Sequence, residues 1–397
     1  MDIRLTDRIR AVKPSATLAV GAKAAELKAA GIDVIGFGAG EPDFDTPAGI
    51  KAAAKVAIDA GDTKYVAKRG AELVRNIVAT IQREIGLRYA PDQILVSCGA
   101  KHSLFNLIQV LAQPGDEVLF QAPYWVSYFE MVHLAGATPV IVPTTDQTGF
   151  KMTPEALAKA LTPNTRVVIL NSPSNPTGAV YTKEELTALA KVIEPTGAVV
   201  ISDEMYNNLL YDGARHWSIA AYSSDFAART VVVNGCSKTF AMTGWRIGYM
   251  AGPKAVVKAC ANLQSHSTSD AASISQAAAA EAFLKPPPEL PDRLAEFDRR
   301  RRRMVALLNE LPGVRCLPPH GAFYAFPNVK GVFGRTLGGK KIASAMDFTA
   351  AALEQARVAV VPGEAFGDGD YVRLSYATSM QNIEAGLGRL KTWLSAP

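Results

Sequence analysis

The sequence predicts an α/β protein: a seven-stranded, mostly parallel sheet with one antiparallel strand, plus a smaller α+β domain. Three observations carry this prediction. The chain has 397 residues, more than one ordinary core organises, so two domains are expected. Between residues 94 and 251, short β-branched runs alternate with helical stretches, the pattern of strand–helix–strand units. After Lys285-Pro286-Pro287-Pro288-Glu289 the pattern gives way to one long helix and several short elements.

The elements follow in order. Residues 1–45 contain a helix, Ala22–Ala30, and are assigned to an N-terminal arm and part of the small domain. Residues 46–285 form the large domain. Its strands are Ile94–Ser97, Glu117–Gln121, Thr138–Val142, Val167–Leu170, Ala198–Ser202, Val231–Asn234 and Ile247–Ala251, with helices such as Lys101–Leu111 and Lys183–Ile193 between them. Only twelve residues separate Asn234 from Ile247, and they include Gly235, Ser237 and Gly244 without a helical period. That is short for a parallel crossover, so the last strand is expected to run antiparallel. Residues 286–397 form the small domain. It has a helix at Arg293–Leu311 stopped by Pro312-Gly313, a strand at Ala322–Phe326 and a helix at Ala345–Ala356. Strands at Val358–Val361 and Tyr371–Ser375 and a final helix complete it.

Composition narrows the function. Apolar residues are 48% and charged residues 20%, as in a globular protein with a sizeable core. The net charge of +5 is modest and dispersed, so no nucleic-acid partner is expected. Arg299 to Arg303 are the exception, but Leu294, Phe297, Met304, Leu307 and Leu308 flank them at helical spacing, which predicts a solvated helix face. The opening Met1-Asp2-Ile3-Arg4 lacks a signal-peptide core, and no apolar run is long enough for a membrane span. Cys98, Cys236, Cys260 and Cys316 are far apart, and the five histidines show no metal-ligand spacing. A reduced, cytoplasmic, metal-free protein is expected.

Polar residues gather after successive strands. Asn171-Ser172-Pro173-Ser174-Asn175-Pro176-Thr177-Gly178 follows one, Asp203-Glu204-Met205-Tyr206 the next, and Gly235-Cys236-Ser237-Lys238 a third, with Arg246 eight residues on. Ligands of open α/β sheets bind outside the carboxyl ends of the strands, so these residues point to one site. Gly36-Phe37-Gly38-Ala39-Gly40 is not a dinucleotide loop, because Glu41-Pro42-Asp43 follows where a helix should open.

The ordered set Ser-Pro-x-Asn-Pro-Thr-Gly, Asp-Glu-x-Tyr and Ser-Lys-x-x-x-x-x-Gly-x-Arg-x-Gly resembles the class I and II aminotransferases, which are fold-type-I pyridoxal-phosphate enzymes. Gly40-Glu41-Pro42-Asp43-Phe44, Tyr124-Trp125 and Val372-Arg373-Leu374-Ser375-Tyr376 extend the resemblance over nearly the whole chain. It implies that Lys238 forms the imine with pyridoxal 5'-phosphate and then shuttles a proton. Asp203 faces the ring nitrogen, which must stay protonated for the ring to accept electrons. Tyr206 and Asn175 bind the phenolic oxygen, and Trp125 stacks on the ring. Arg246 and Ser237 hold the phosphate, helped by Gly99, Ala100 and Lys101 where a strand meets a helix N-terminus. Tyr65 reaches that phosphate from a second subunit, so a homodimer is implied. Arg373 offers a guanidinium fork to the substrate α-carboxylate, and Gly40 brings backbone close to the substrate.

Lys13-Pro14-Ser15-Ala16-Thr17 and Lys101 resemble the Ib branch of bacterial aspartate aminotransferases. That implies L-aspartate and 2-oxoglutarate as substrates, with Lys13, Ser15, Thr17 and Lys101 meeting the distal carboxylate, and prephenate as a further amino acceptor. The rival readings are an aromatic-amino-acid aminotransferase, a carbon–sulfur β-lyase with the same cofactor, and a non-enzymatic ligand-sensing module of a regulator. The last needs a DNA-binding domain, and no helix-turn-helix pattern precedes the fold.

Overall fold

The computed structural model describes residues 3–14, 16–65 and 68–396. Among these the main sheet has seven strands: β1 Ile94–Ser97, β2 Glu117–Ala122, β3 Thr138–Pro143, β4 Thr165–Asn171, β5 Val199–Asp203, β6 Thr230–Gly235 and β7 Gly248–Ala251. Their spatial order is β1-β7-β6-β5-β4-β2-β3. β7 runs antiparallel to both neighbours, and the other pairs are parallel. The short β6–β7 connection forces that reversal, as its length predicts. Val118, Val168, Val200, Val231 and Val233 are fully buried, which is why β2, β4, β5 and β6 read as unbroken apolar runs.

The register aligns the functional ends. Asn171 at the end of β4 lies beside Asp203 at the end of β5, and Asp203 lies beside Val233 of β6. The residues that follow each strand therefore emerge at one edge.

A second layer is built on smaller sheets. The expected strand Val358–Val361 is two pieces: Val358–Ala359 pairs in parallel with Ile35–Gly36, and Val361–Pro362 pairs with Val372–Ser375, which also pairs with Tyr324–Ala325. The segment changes partners midway, which an apolar run does not reveal. The helix expected at Ala345–Ala356 ends in a π turn over Ala352–Ala356. The helix Ser273–Leu284 had no sequence signature, because buried residues surround its axis and leave no apolar stripe.

The arginine run lies on the long helix Leu290–Asn309 but is not simply a solvated face. Five consecutive residues circle a 3.6-residue turn, so some must point inward. Arg300 and Arg301 do, and Arg301 is only 2% exposed. Arg300 pairs with Asp43 and Glu296, and Arg301 with Asp212 and Asp298 while donating to the Pro319 carbonyl. Buried charges persist only when paired in this way. Arg299, Arg302 and Arg303 remain exposed on ion pairs of their own.

Candidate active site

A cavity of about 790 Å³ opens at the carboxyl ends of β4, β5 and β6. Gly40, Ala100, Lys101, Trp125, Asn175, Asp203, Tyr206, Ser237, Lys238, Arg246 and Arg373 all line it, as does Thr17 from the helix Ala16–Ala29. Tyr324, which the sequence did not single out, also lines it, and Tyr128, likewise not singled out, backs Asp203 from behind the wall. Gly99 stands behind the wall against Arg246.

Asp203 is buried at the tip of β5. The Tyr128 hydroxyl donates to one carboxylate oxygen (2.5 Å) and the Met205 N–H to the other (3.2 Å). Asn171 donates to the Asp203 carbonyl (3.0 Å), tying β4 to β5. Burial raises the Asp203 carboxyl to about 6, against the pull of those two donors. A buried carboxylate that destabilised would be relieved by a cationic N–H in front of it.

Lys238 follows β6 in a turn whose Cys236 N–H still bonds to the Ile247 carbonyl. Its ammonium donates to the Gly40 carbonyl and lies 5.8 Å from the centre of the Phe323 ring. Burial, and then the charge of Arg373, lower its pKa to about 8. An amine so placed gives up its proton near neutrality and becomes a usable nucleophile and base.

Arg373 is 2% exposed on the strand Val372–Ser375. One terminal nitrogen donates to the Asn175 side-chain oxygen (3.1 Å) and the other to the Gly38 carbonyl (2.8 Å). The guanidinium lies 4.5 Å above the Tyr324 ring and 5.0 Å from that of Phe366. Its Nε is buried with no hydrogen-bond partner among the described residues. The Tyr324 hydroxyl bonds to that of Tyr206 (2.9 Å), joining the two layers across the cavity.

At the opposite end, Arg246 holds a left-handed backbone conformation (φ 56°) and donates to the Thr243 carbonyl (2.7 Å). Gly99 has φ 88°, and a Cβ there would overlap the Arg246 guanidinium, so only glycine leaves the cradle open. The helix Ala100–Leu111 starts at this point and aims its first N–H groups at the same space, beside the buried Ser237. The Lys101 ammonium sits 5.0 Å from the Trp125 ring centre, and burial and Arg246 lower its pKa. The set of a carboxylate needing a cationic partner, an uncharged-capable lysine and an anion cradle fits pyridoxal phosphate end to end.

Two expected residues stand apart from the cavity, and a third is not described. Tyr65 is 92% exposed and does not line it within the single chain. Lys13 is exposed, with its backbone N–H bonded to the Glu130 carboxylate (3.3 Å). Ser15 lies outside the described residues. The glycine-rich segment Gly36–Gly40 turns carbonyls toward Lys238 and Arg373, and the next helix opens only at Ala48.

This is the architecture of a cofactor-dependent group-transfer enzyme. The profile of "Aminotransferase class I and II" matches residues 32–390, and the chain belongs to that family. It is 48% identical over 395 residues to an aspartate aminotransferase of Geobacillus stearothermophilus, covering 99% of this chain and 100% of that one. It is 50% identical over 392 residues to an aspartate/prephenate aminotransferase of Cereibacter sphaeroides, covering 98% of each. The crystal structure of the aspartate aminotransferase of Rhizobium meliloti superposes with a TM-score of 0.95 at 44% identity, covering 99% of each chain. The fold is therefore fold type I, and the family's cofactor is pyridoxal phosphate.

Proposed function

We propose that the protein transfers the amino group of L-aspartate to 2-oxoglutarate, giving oxaloacetate and L-glutamate. The observation that carries this reading is the convergence of Lys238, Asp203 and Arg373 on one cavity. When bound, the cofactor supplies an aldehyde for the amine and a ring that takes up the electron pair left at the substrate Cα. The chain's residues do the rest. Lys238 anchors the cofactor and, once released, removes the proton from the substrate Cα. Asp203 keeps the proton on the ring nitrogen. Asn175 and Tyr206 hold the phenolic oxygen, and Trp125 covers the ring. Arg246, Ser237 and the N–H groups of Gly99, Ala100 and Lys101 hold the phosphate.

Arg373 and Asn175 receive the α-carboxylate, for which the Arg373 Nε, without a hydrogen-bond partner among the described residues, is a donor. Gly40 approaches the substrate from the opposite side. Lys101 and Thr17, with Lys13 and Ser15 of the same arm, receive the distal carboxylate. In a homodimer, Tyr65 of the partner subunit reaches the phosphate. The units 1–45, 46–285 and 286–397 close over the substrate, carrying Arg373 toward Lys238. The likeness to the Cereibacter sphaeroides enzyme favours prephenate, also a dicarboxylate, as a second amino acceptor.

The test is the visible spectrum of the cofactor-loaded protein during addition of L-aspartate, for wild type and Lys238→Ala. Loss of the lysine-bound band with aspartate, absent in the variant, supports the reading. A response to tyrosine but not aspartate moves the substrate to the aromatic class. Release of ammonia and pyruvate marks a lyase, and a protein that cannot be loaded overturns the reading.

A further inference from the structure

Two ends hold the loop from Gly38 to Phe44. Upstream, Ile35–Gly36 pairs with Val358–Ala359. Downstream, one Arg300 nitrogen donates to both carboxylate oxygens of Asp43 (2.8 and 2.9 Å), while the Arg300 Nε is held by Glu296 (2.8 Å). The Phe44 ring packs edge-on against Phe297 at 5.1 Å, with the Arg293 and Arg300 guanidiniums 5.3 and 5.2 Å from its centre. These Asp43 and Phe44 contacts come from one helix, Leu290–Asn309, while Glu41 within the loop also accepts from the Thr243 hydroxyl (2.7 Å). Between the two grips the loop offers two carbonyls, Gly38 to Arg373 and Gly40 to Lys238.

We propose that Arg300 and Asp43 are positioning residues: their ion pair fixes the loop so that the Gly40 carbonyl docks the free Lys238 amine and the Gly38 carbonyl aims Arg373. This deepens the reading above and rests on it. Neither residue lines the cavity. They act through the backbone, in the way a supporting shell holds reacting groups to within a fraction of an ångström. The docked amine is the form Lys238 takes whenever it is not bonded to the cofactor, which is when it must move the substrate proton. Its charge state is set by the groups facing it: Arg373, Glu41, Arg246, Lys101 and Asp203, with the Phe323 ring and the Gly40 carbonyl. A carbonyl acceptor favours the ammonium, so loosening Gly40 should ease deprotonation.

The experiment uses Asp43→Asn, with Arg300→Lys as a second variant and Arg303→Gln as control, since Arg303 pairs with Glu384 away from the loop. On cofactor-free protein, the rate of pyridoxal-phosphate capture is followed by its visible band as a function of pH. Wild type should show a midpoint near 8, and both loop variants a midpoint at lower pH. On loaded protein, kcat/KM for aspartate should fall about tenfold, and the isotope effect with Cα-deuterated aspartate should rise, because proton transfer is slowed. Arg303→Gln should match wild type in each. If both loop variants melt earlier but keep the wild-type midpoint and isotope effect, the pair is only structural and the proposal is overturned. The same holds if neither variant differs from wild type. If Asp43→Asn does not fold, Arg300→Lys decides by the same two readouts, since it keeps the charge and loses the fork. A wild type that captures the aldehyde but ignores aspartate refutes the substrate reading and leaves the capture midpoint to judge the loop.

Discussion

The inner wall of the cavity and its rim are built differently. On the wall, Asp203 is held by Tyr128 and Met205, Arg373 by Asn175 and Gly38, and Tyr206 by Tyr324, all buried except the half-buried Gly38. On the rim, Lys101 is exposed and held chiefly by the Trp125 face, and Thr17 sits on a helix of the N-terminal arm. Under the proposed function, the wall would fix groups that any amino-acid substrate needs and the rim would meet what distinguishes one substrate from another. Reaction type and substrate range would then be stored in separable parts of the molecule.

Substitutions can test that separation, starting at the wall. Lys238→Ala should abolish the lysine-bound visible band and lower kcat by about 10⁴-fold, measured by single-turnover absorbance. Asp203→Asn keeps the shape but removes the charge behind the ring nitrogen, and should lower kcat by about 10²–10³-fold with little change in KM.

Asp203 also makes a prediction about pH. Its folded pKa of about 6 lies above the 3.8 of an ordinary aspartate, so burial of the carboxylate destabilises the cofactor-free protein at neutral pH. The contribution to stability is complete below about pH 4 and is lost as pH rises through about 6, a change of about 3 kcal/mol. Urea unfolding of cofactor-free protein between those limits should show this fall. Asp203→Asn should lack it, and cofactor loading should reduce it. Equal pH dependence in wild type and Asp203→Asn would falsify the assignment of the raised pKa.

Moving outward, Arg373→Lys keeps a charge and loses the fork. It should cost about 50-fold in kcat/KM for aspartate and for any monocarboxylic amino acid alike. Lys101→Ala should give the smallest effect, about a tenfold rise in KM for aspartate that shrinks with added salt. It should leave the rate with an aromatic amino acid nearly unchanged. If Lys101→Ala slowed both substrate classes equally, the division between wall and rim would fail.

Much of the wall was legible in the sequence. β4, β5 and β6 are short β-branched runs, and the polar residues after them emerge together because parallel strands share one carboxyl edge. The reversal of β7 followed from chain length, since too few residues follow Asn234 for a crossover. Tyr128 and Tyr324 were not legible. Each comes from an element whose own pattern says only that an aromatic is buried, and packing of distant segments aims its hydroxyl. The two carbonyls of Gly38 and Gly40 carry no side-chain signal at all. The arginine run misled for a related reason: its acidic partners Asp43 and Asp212 lie far away in the chain.

The bond from Arg373 to the Gly38 carbonyl joins residues 335 positions apart. A ribosome releases Lys238 and its surrounding sheet well before Arg373 appears. During synthesis, the growing chain can therefore present the Lys238 amine before it has either the clamp for a substrate carboxylate or the Arg373 charge that helps lower the amine's pKa. Whatever aldehyde it meets in that interval, it cannot yet turn over an amino acid.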